Sequence, residues 1–232
     1  MIEKNILIVS YVFPPFPGIG GRRWAKFAKY LSRHGYNVHV ASASNPFIKR
    51  SVWTEDIKSQ AIKTYFLPLR YPAVLMTTPK TVFGKIHYRL AEKYVKLLTK
   101  GNYLDRAALW KPVMKKFIPS IIRNNNIQNV IITGPPFHSM NFALDLKAEF
   151  PSVRLIADFR DPWTDFNFGY NIISISEGKR FQYECMIEKQ VLLNFDCIIT
   201  ASDSLSLRFK NKVPEKEIKI FSITNGYDAD DF

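Results

Sequence analysis

The 232-residue chain has only two cysteines, Cys185 and Cys197, and both lie within apolar segments. So few thiols exclude the disulfide framework of a small secreted domain and favour packed, reduced side chains. Nothing in the sequence approaches the ~20 consecutive apolar residues that a membrane-spanning helix needs. The apolar run near the N-terminus is too short for a secretory signal and leads directly into a turn, so it is interpreted as a first strand. We therefore expect a cytoplasmic protein.

Acidic residues are also scarce, since Lys and Arg number 33 against 20 Asp and Glu, for a net charge of +13. Such an excess attracts nucleic acid, an anionic membrane surface or a phosphorylated substrate, and the charge alone does not choose among them. The hydrophobic content of 47% is sufficient for a folded core. No long polar or low-complexity tract indicates disorder.

Short runs rich in Ile and Val alternate with longer helical patterns, which predicts an α/β, Rossmann-like fold with a mostly parallel sheet and helices on both faces. Helical spacing predicts a first helix that ends at Gly35, a later helix over Glu177–Asn194, and a helix between Pro112 and Asn125 that Pro119 kinks or divides. The predicted strands are Asn5–Ser10, Asn37–Ala41, Thr64–Leu67, Asn129–Thr133, Arg154–Asp158, Cys197–Thr200 and Ile218–Ile223.

The segment from about residue 71 to residue 110 breaks this rhythm, because it contains no clear strand and is long for a crossover. Between Lys80 and Arg123 there are eleven basic and two acidic residues, with aromatic residues interleaved. Basic helices with aromatics suit an anionic bilayer surface. The alternatives are a solvated helical face and a nucleic-acid surface, but no nucleic-acid-binding module is recognisable and we expect no such partner. The predicted membrane-contacting residues are Lys85, Arg89, Lys93 and Lys96.

A glycine-rich turn follows the first predicted strand. Gly18, Gly20 and Gly21 allow the backbone to pass close to a ligand, and the helix that follows presents unpaired N–H groups to an anion. Arg22 or Arg23 is a candidate partner for phosphate. Because an arginine replaces the third glycine of a dinucleotide fingerprint and no acidic residue follows the second strand, a nicotinamide or flavin cofactor is disfavoured. The alternative is a tight turn that needs glycine for its geometry alone.

A second candidate segment, Gly134-Pro-Pro-Phe-His-Ser139, follows the fourth predicted strand. It places His138 at the carboxyl edge of a parallel sheet, where open α/β folds bind their ligands, and His138 or Ser139 opens the next helix. A neutral histidine there could hydrogen-bond a sugar hydroxyl or shuttle a proton. A lone histidine is, however, more often a structural hydrogen-bonding group.

A third candidate segment places Asp158, Arg160 and Asp161 at the end of the fifth predicted strand, with Trp163 close by. Carboxylates beside an aromatic ring suit a polyhydroxylated ligand, because they accept hydrogen bonds from hydroxyls while the ring covers an apolar sugar face. The alternative is a self-contained cluster in which Arg160 neutralises the aspartates. Two aspartates at this spacing are too common a pattern to predict a metal site, and none is predicted.

Taken in order, these segments resemble the N-terminal domain of retaining glycosyltransferases of family 4, which have the two-domain GT-B fold. The resemblance spans nearly the whole chain, although residues 71–109 are the part that it explains least. The matching segments are Ile6 to Arg23, Gly134-Pro-Pro-Phe-His-Ser139, Asp158-Phe-Arg-Asp-Pro-Trp163, Ile187 to Ser202 and Thr224-Asn-Gly-Tyr-Asp228.

The resemblance implies an acceptor-side domain, with the sugar nucleotide held mainly by a second domain and with no metal or resident cofactor. It implies that His138 contacts the transferred sugar and that Asp158, the second candidate catalytic residue, lies near the acceptor side. The residues expected near the donor phosphates are Gly18, Gly20, Gly21, Arg22 and Arg23. Those expected to bind the acceptor are Ser139, Arg160, Asp161 and Trp163.

The resemblance divides the sequence into a Rossmann-like domain over residues 1–224 and the start of an interdomain linker over residues 225–232, with the donor domain expected beyond. The chain alone is therefore expected to catalyse sugar transfer poorly. The complete enzyme is expected to move a hexose-type sugar from a nucleoside diphosphate to a lipid-linked or cell-surface glycan acceptor. Two alternatives stay open: a non-catalytic module that docks a membrane or a partner, and a nucleotide-sugar 2-epimerase with the same fold.

Overall fold

A computed structural model of the chain describes residues 4–16, 19–47, 51–99, 105–165 and 178–232. Within these ranges, seven parallel strands form one sheet in the order β3-β2-β1-β4-β5-β6-β7. All seven predicted strands are present within two residues of their predicted bounds, which confirms the α/β, Rossmann-like prediction. They are β1 (Asn5–Ser10), β2 (Asn37–Ala43), β3 (Ile62–Leu67), β4 (Asn129–Gly134), β5 (Arg154–Phe159), β6 (Cys197–Thr200) and β7 (Ile220–Ser222).

Six α-helices connect the strands in the described part of the chain. Gly35, with φ of 78°, follows the first helix, as predicted for a C-terminal glycine. The helix that contains Pro119 is not divided, so that alternative of the prediction is wrong. Buried Ile118, Ile121 and Ile122 hold both halves of that helix on the sheet despite the lost backbone hydrogen bond. The helices are α1 (Ile19–Arg33), α2 (Val82–Leu98), α3 (Lys111–Asn124), α4 (His138–Glu149), α5 (Lys179–Asn194) and α6 (Asp203–Lys212).

The central strands β1 and β4 are buried on both faces, as expected where helices cover a parallel sheet on two sides. Leu7 and Val9 of β1 pack into the larger core, with side chains of α3 and α4. Ile6 and Ile8 point to the opposite face and pack against Trp24 and other residues of α1. This alternation is the period of two that a strand imposes on successive side chains.

The long connection between β3 and β4 is helical in its described part, and it contains α2 and a short 3₁₀ helix over Ala73–Met76. Trp110, fully buried just before α3, donates a hydrogen bond from Nε1 to the Pro68 carbonyl at 2.9 Å. Its ring meets Tyr11 edge to face, with ring centroids 5.0 Å apart. These contacts anchor the far end of the connection to the sheet. No helix in the described ranges is both long enough and apolar enough to cross a membrane.

A buried carboxylate fixes α1 to the centre of the sheet. Asp158, at the end of β5, accepts hydrogen bonds from Trp24 Nε1 at 2.7 Å and from Thr133 Oγ1 at 2.9 Å. Arg23 Nη2 lies 3.3 Å from the other carboxylate oxygen. All these side chains are buried, so the ion pair is held in surroundings of low polarity where its partners cannot be replaced by water.

We predict that Asp158→Asn lowers the free energy of unfolding by about 3 kcal/mol, because the substitution leaves the Arg23 charge without its buried carboxylate. The matched control is Asp161→Asn, three residues further on and only half-buried, for which a change within about 0.5 kcal/mol is expected. Urea unfolding of both variants measures the difference. Equal losses would show that Asp158 does not hold α1 in place.

Candidate functional site

The sheet has its topological switch point between β1 and β4, because the chain leaves these neighbouring strands in opposite directions. Open parallel sheets bind ligands in the crevice outside the carboxyl ends of strands at such a point. Here the crevice is bounded by the turn before α1 and by residues 134–138 before α4. The prediction that His138 lies at this edge and opens a helix is confirmed. Gly18 lies outside the described residues.

The first turn of α1 packs closely against the turn that precedes it. A Cβ atom on Gly21 would lie 3.0 Å from both the Phe13 Cα and the Val12 carbonyl oxygen, so only glycine fits without a shift of the backbone. Because α1 begins at Ile19, the N–H groups of its first turn have no partners within the helix. They form a positive helix end directly at the crevice.

Arg160 connects the three segments that border the crevice. Its Nε donates to the Gly134 carbonyl at 3.1 Å, and Nη2 donates to the Pro135 carbonyl. On its other side, a Cβ atom on Gly20 would lie only 2.7 Å from Nη1. The guanidinium from the end of β5 therefore lies between the first turn of α1 and the loop before α4. A guanidinium beside a helix N-terminus is suited to an anionic oxygen, above all that of a phosphate.

Both arginines that the sequence suggested as phosphate partners are engaged by other groups of the chain. Arg23 is buried and, besides Asp158, donates to the Asn225 side chain at 2.7 Å and to the Ile223 carbonyl at 2.7 Å. Arg22 forms an ion pair with Asp231. Both point away from the glycines because helical geometry turns them towards the C-terminal segment. Among the described residues, Arg160 is the arginine whose contacts join the first turn of α1 to the loop before α4.

His138 is buried between two carboxylates. Its Nδ1 lies 3.2 Å from Asp105 Oδ2, and its Nε2 lies 3.4 Å from Glu184 Oε1. Arg180 pairs with the same Glu184 oxygen and lies 3.3 Å from Nε2. Asp105 also accepts hydrogen bonds from the backbone N–H groups of Phe137 and His138, and so caps the N-terminus of α4.

This environment favours the charged form of the histidine. Burial opposes protonation, but the carboxylates of Asp105 and Glu184 outweigh it and raise the pKa of His138 above its ordinary value. Conversely, although burial opposes ionisation of Asp105, the neighbouring imidazolium and its hydrogen bonds lower the pKa of that carboxyl. The direction of this shift favours an imidazolium–carboxylate pair over the neutral histidine that the sequence suggested.

Two of the other predicted acceptor residues, Trp163 and Ser139, lie in the interior. Trp163 is buried, stacks on Phe137 with ring centroids 5.1 Å apart, and donates from Nε1 to Glu184 at 3.0 Å. Its ring is therefore not an open platform for a sugar. Ser139 is fully buried, and its hydroxyl has no hydrogen-bond partner within the described ranges. Asp161 is half-buried, next to Arg160.

The predicted linker residues 225–232 pack against α1. Lys26 Nζ lies 2.8 Å from Asp56 Oδ1 and 2.6 Å from an oxygen of each of Asp228 and Asp231. These three carboxylates form the one group in the described chain with the spacing of metal ligands, but three basic side chains, those of Lys26, Lys29 and Arg22, already pair with them. Hydrogen bonds from Lys26, Lys29 and Tyr30 hold the pKa of Asp228 well below its usual range.

Sequence reasoning missed Asp105, Arg180 and Glu184. Asp105 is 33 residues from His138 and lies in the basic segment, where it reads as an isolated acidic residue. Arg180 and Glu184 do carry a signal, since they are four residues apart on a predicted helix, a spacing that favours an ion pair. Nothing in that spacing indicates that the pair faces His138.

The chain matches no protein-family model and no curated protein. Its fold is similar to that of several solved structures. The N-terminal domain of trehalose-6-phosphate phosphatase from Candida albicans has a TM-score of 0.54 and 13% identity, over 98% of this chain and 50% of that one. A sucrose-phosphate synthase structure from Thermosynechococcus elongatus has a TM-score of 0.53 and 14% identity, over 96% of this chain and 89% of that one. A UDP-glucose:anthocyanidin 3-O-glucosyltransferase in complex with UDP has a TM-score of 0.53 and 9% identity, over 96% of this chain and 52% of that one.

The chain therefore spans about half of the length of two of these three structures. At identities between 9% and 14%, the likeness shows the fold and not the activity. The fold that they share with this chain is an α/β, Rossmann-like one. One of the three proteins is named a glucosyltransferase and another a phosphatase. The shared fold therefore occurs in proteins that are named for different reactions.

We predict stability effects of different size for two neighbouring glycines of α1. In Gly21→Ala the new Cβ meets backbone atoms, so the free energy of unfolding is expected to fall by about 1–3 kcal/mol. In Gly20→Ala the new Cβ meets only the end of the Arg160 side chain, which can move, so the change is expected to stay within about 1 kcal/mol. Urea unfolding measures both. Equal destabilisation would contradict the close packing described for Gly21.

We predict that His138 makes stability depend on pH. Because its pKa is raised in the folded chain, its favourable contribution is fully present below the unfolded value of about 6.5 and is lost as the pH rises through the folded value. His138→Gln should therefore cost more stability at about pH 6 than at about pH 9. Urea unfolding at both values tests this, with the exposed His34→Gln as the control. A cost that is the same at both values would contradict the imidazolium–carboxylate pair.

Proposed function

We propose that this chain is the acceptor-side, N-terminal domain of a retaining glycosyltransferase that moves a hexose-type sugar from a nucleoside diphosphate to a lipid-linked or cell-surface glycan. The observation that carries the proposal is the position of Arg160. Its guanidinium lies against Gly20, at the positive end of α1 and at the switch point of the sheet. The similar fold of a UDP-complexed glucosyltransferase is consistent with this proposal.

The chemistry that this arrangement supports is stabilisation of a leaving diphosphate. When a sugar leaves its nucleotide, negative charge grows on the diphosphate oxygens, and donors that are already in place lower the barrier. Arg160 and the first-turn N–H groups of α1 would supply such donors. The sugar nucleotide is a substrate in this proposal, and no resident cofactor or metal is required.

The role proposed for His138 follows from its burial. The Asp105–His138 pair holds the start of α4, and the loop directly before it supplies the Gly134 and Pro135 carbonyls that orient Arg160. In the proposal His138 acts on catalysis mainly by positioning this loop. Asp158 likewise positions α1 rather than touching the acceptor, because its carboxylate is fully buried. Asp161, half-buried at the rim, is the proposed acceptor-side carboxylate.

An acceptor at a membrane surface fits the distribution of charge. Lys85, Arg89, Lys93 and Lys96 lie together on α2 and are all exposed. A cluster of this kind is attracted to anionic lipid headgroups. We therefore propose an anionic membrane surface as a partner and a peripheral location at the inner membrane face, where a lipid-linked acceptor would be presented.

The proposal is tested on the full-length protein with a panel of UDP-, GDP- and ADP-sugars. Binding is measured by calorimetry, and products are analysed by mass spectrometry. Arg160→Gln is expected to weaken binding of the preferred nucleotide sugar by about 1.5–3 kcal/mol, about 10- to 100-fold, since it removes hydrogen bonds to a charged group. Arg160→Lys should weaken binding less than Arg160→Gln does, because lysine keeps the positive charge. The matched control is Arg208→Gln, an exposed arginine on α6 that pairs with Asp165.

Three results would count against the proposal. Binding that is equally strong in Arg160→Gln would remove the role of this guanidinium. Conversion of the nucleotide sugar into its 2-epimer, with no glycoside formed, would favour the epimerase alternative. Failure to bind any nucleotide sugar, combined with tight vesicle binding, would favour a non-catalytic docking module.

A further inference from the structure

The helix α2 exposes a stripe of large apolar side chains. Phe83, Ile86, Leu90, Tyr94 and Leu97 recur every three or four residues and so lie on one face. Their exposed fractions run from 53% to 85%. Soluble helices bury such a face against a core, and a contiguous apolar patch on a surface marks a place where something binds.

A second stripe runs beside the first. Lys85, Arg89, Lys93 and Lys96 also recur every three or four residues, and all four are exposed. At 3.6 residues per turn, this basic stripe lies about 100° around the helix axis from the apolar one. The only acidic residue of α2, Glu92, forms an ion pair with Lys96 at 2.5 Å. The outward surface of the helix is therefore apolar on one side and positively charged on the other.

The remaining face attaches α2 to the protein. Val95 is fully buried, and the Thr81 hydroxyl accepts a hydrogen bond from the Gly84 N–H and so caps the first turn. The Thr99 hydroxyl donates to the Val95 carbonyl at the other end at 2.7 Å. Because α2 is held by this face and capped at both ends, its apolar stripe is kept towards the outside.

We propose that α2 lies in the plane of an anionic bilayer, with its apolar stripe inserted among the acyl chains and its basic stripe on the phosphate headgroups. The two stripes match the two layers of a membrane surface, an apolar interior and an anionic rim. A nucleic acid would satisfy the basic stripe but would leave five large apolar side chains in water. This inference rests on the proposed function, which supplies the lipid-linked acceptor. It deepens that function by assigning the membrane contact to insertion of α2 rather than to charge alone.

The first experiment separates insertion from charge. The full-length protein is sedimented with vesicles of phosphatidylcholine, either alone or with about one third phosphatidylglycerol. The double substitution Phe83→Asp and Leu90→Asp is expected to reduce binding to the anionic vesicles by at least about tenfold, because it places charges in the apolar layer. The matched control is Leu207→Asp, which changes a leucine of α6 that is 61% exposed and should leave binding unchanged.

A second set of variants tests the basic stripe and the depth of the helix. Lys85→Gln with Lys93→Gln should weaken anionic-vesicle binding by about fivefold for each charge and make it less sensitive to salt. A Phe83→Trp variant should show a blue-shifted tryptophan emission on addition of anionic vesicles. This variant keeps the apolar stripe and so reports insertion even if the aspartate variants misfold.

Several outcomes would overturn the inference. They are the absence of vesicle binding, unchanged binding in the Phe83 and Leu90 variant, unshifted emission from Phe83→Trp, and a self-association that the aspartates abolish without any vesicle binding. Calorimetry with the nucleotide sugar distinguishes this failure from failure of the proposed function. The aspartate variants should bind the nucleotide sugar like the wild type, because α2 contributes no residue to the crevice described at Arg160.

Discussion

The buried carboxylate of Asp158 is the constraint on which the crevice depends. It joins Trp24 and Arg23 of α1 to Thr133 at the end of β4, and it does so from the end of β5. A fully desolvated carboxylate without these donors would be costly to bury, so the three elements are held in one arrangement. The start of α1 thereby keeps a fixed distance from the ends of both strands.

The crevice at the switch point is built upon this arrangement. Arg160 lies two residues after Asp158, and its guanidinium reaches the Gly134 carbonyl on one side and Gly20 on the other. The pair of Asp105 and His138 fixes the start of α4, directly after the loop that Arg160 binds. One positive side chain and one helix end are therefore presented at the crevice by groups that are themselves buried and ion-paired, which is how a binding site is preorganised.

The sheet could be predicted from the sequence because buried parallel strands appear as short runs of Ile and Val, such as those at β1 and β6. The helix that opens at His138 and the basic character of α2 were predicted from local patterns as well. The glycine turn was predicted before the first helix, but Gly20 and Gly21 lie inside the first turn of α1. The choice among Arg22, Arg23 and Arg160 could not be made in this way, because it depends on which helix face meets the C-terminal segment. The burial of Trp163 and the contact of Asp105 with His138 depend on packing between distant segments, for which a single sequence carries no signal.

In the proposed function, the crevice beside Arg160 and Gly20 receives the diphosphate of a nucleotide sugar. Nuclear magnetic resonance of the isotope-labelled protein titrated with UDP, GDP and ADP tests this binding. One of these nucleotides is expected to shift the backbone amides of Gly20 and Gly21 and the side-chain Nε–H of Arg160. Shifts that are confined to the basic faces of α1 or α2, with these three signals unmoved, would contradict it.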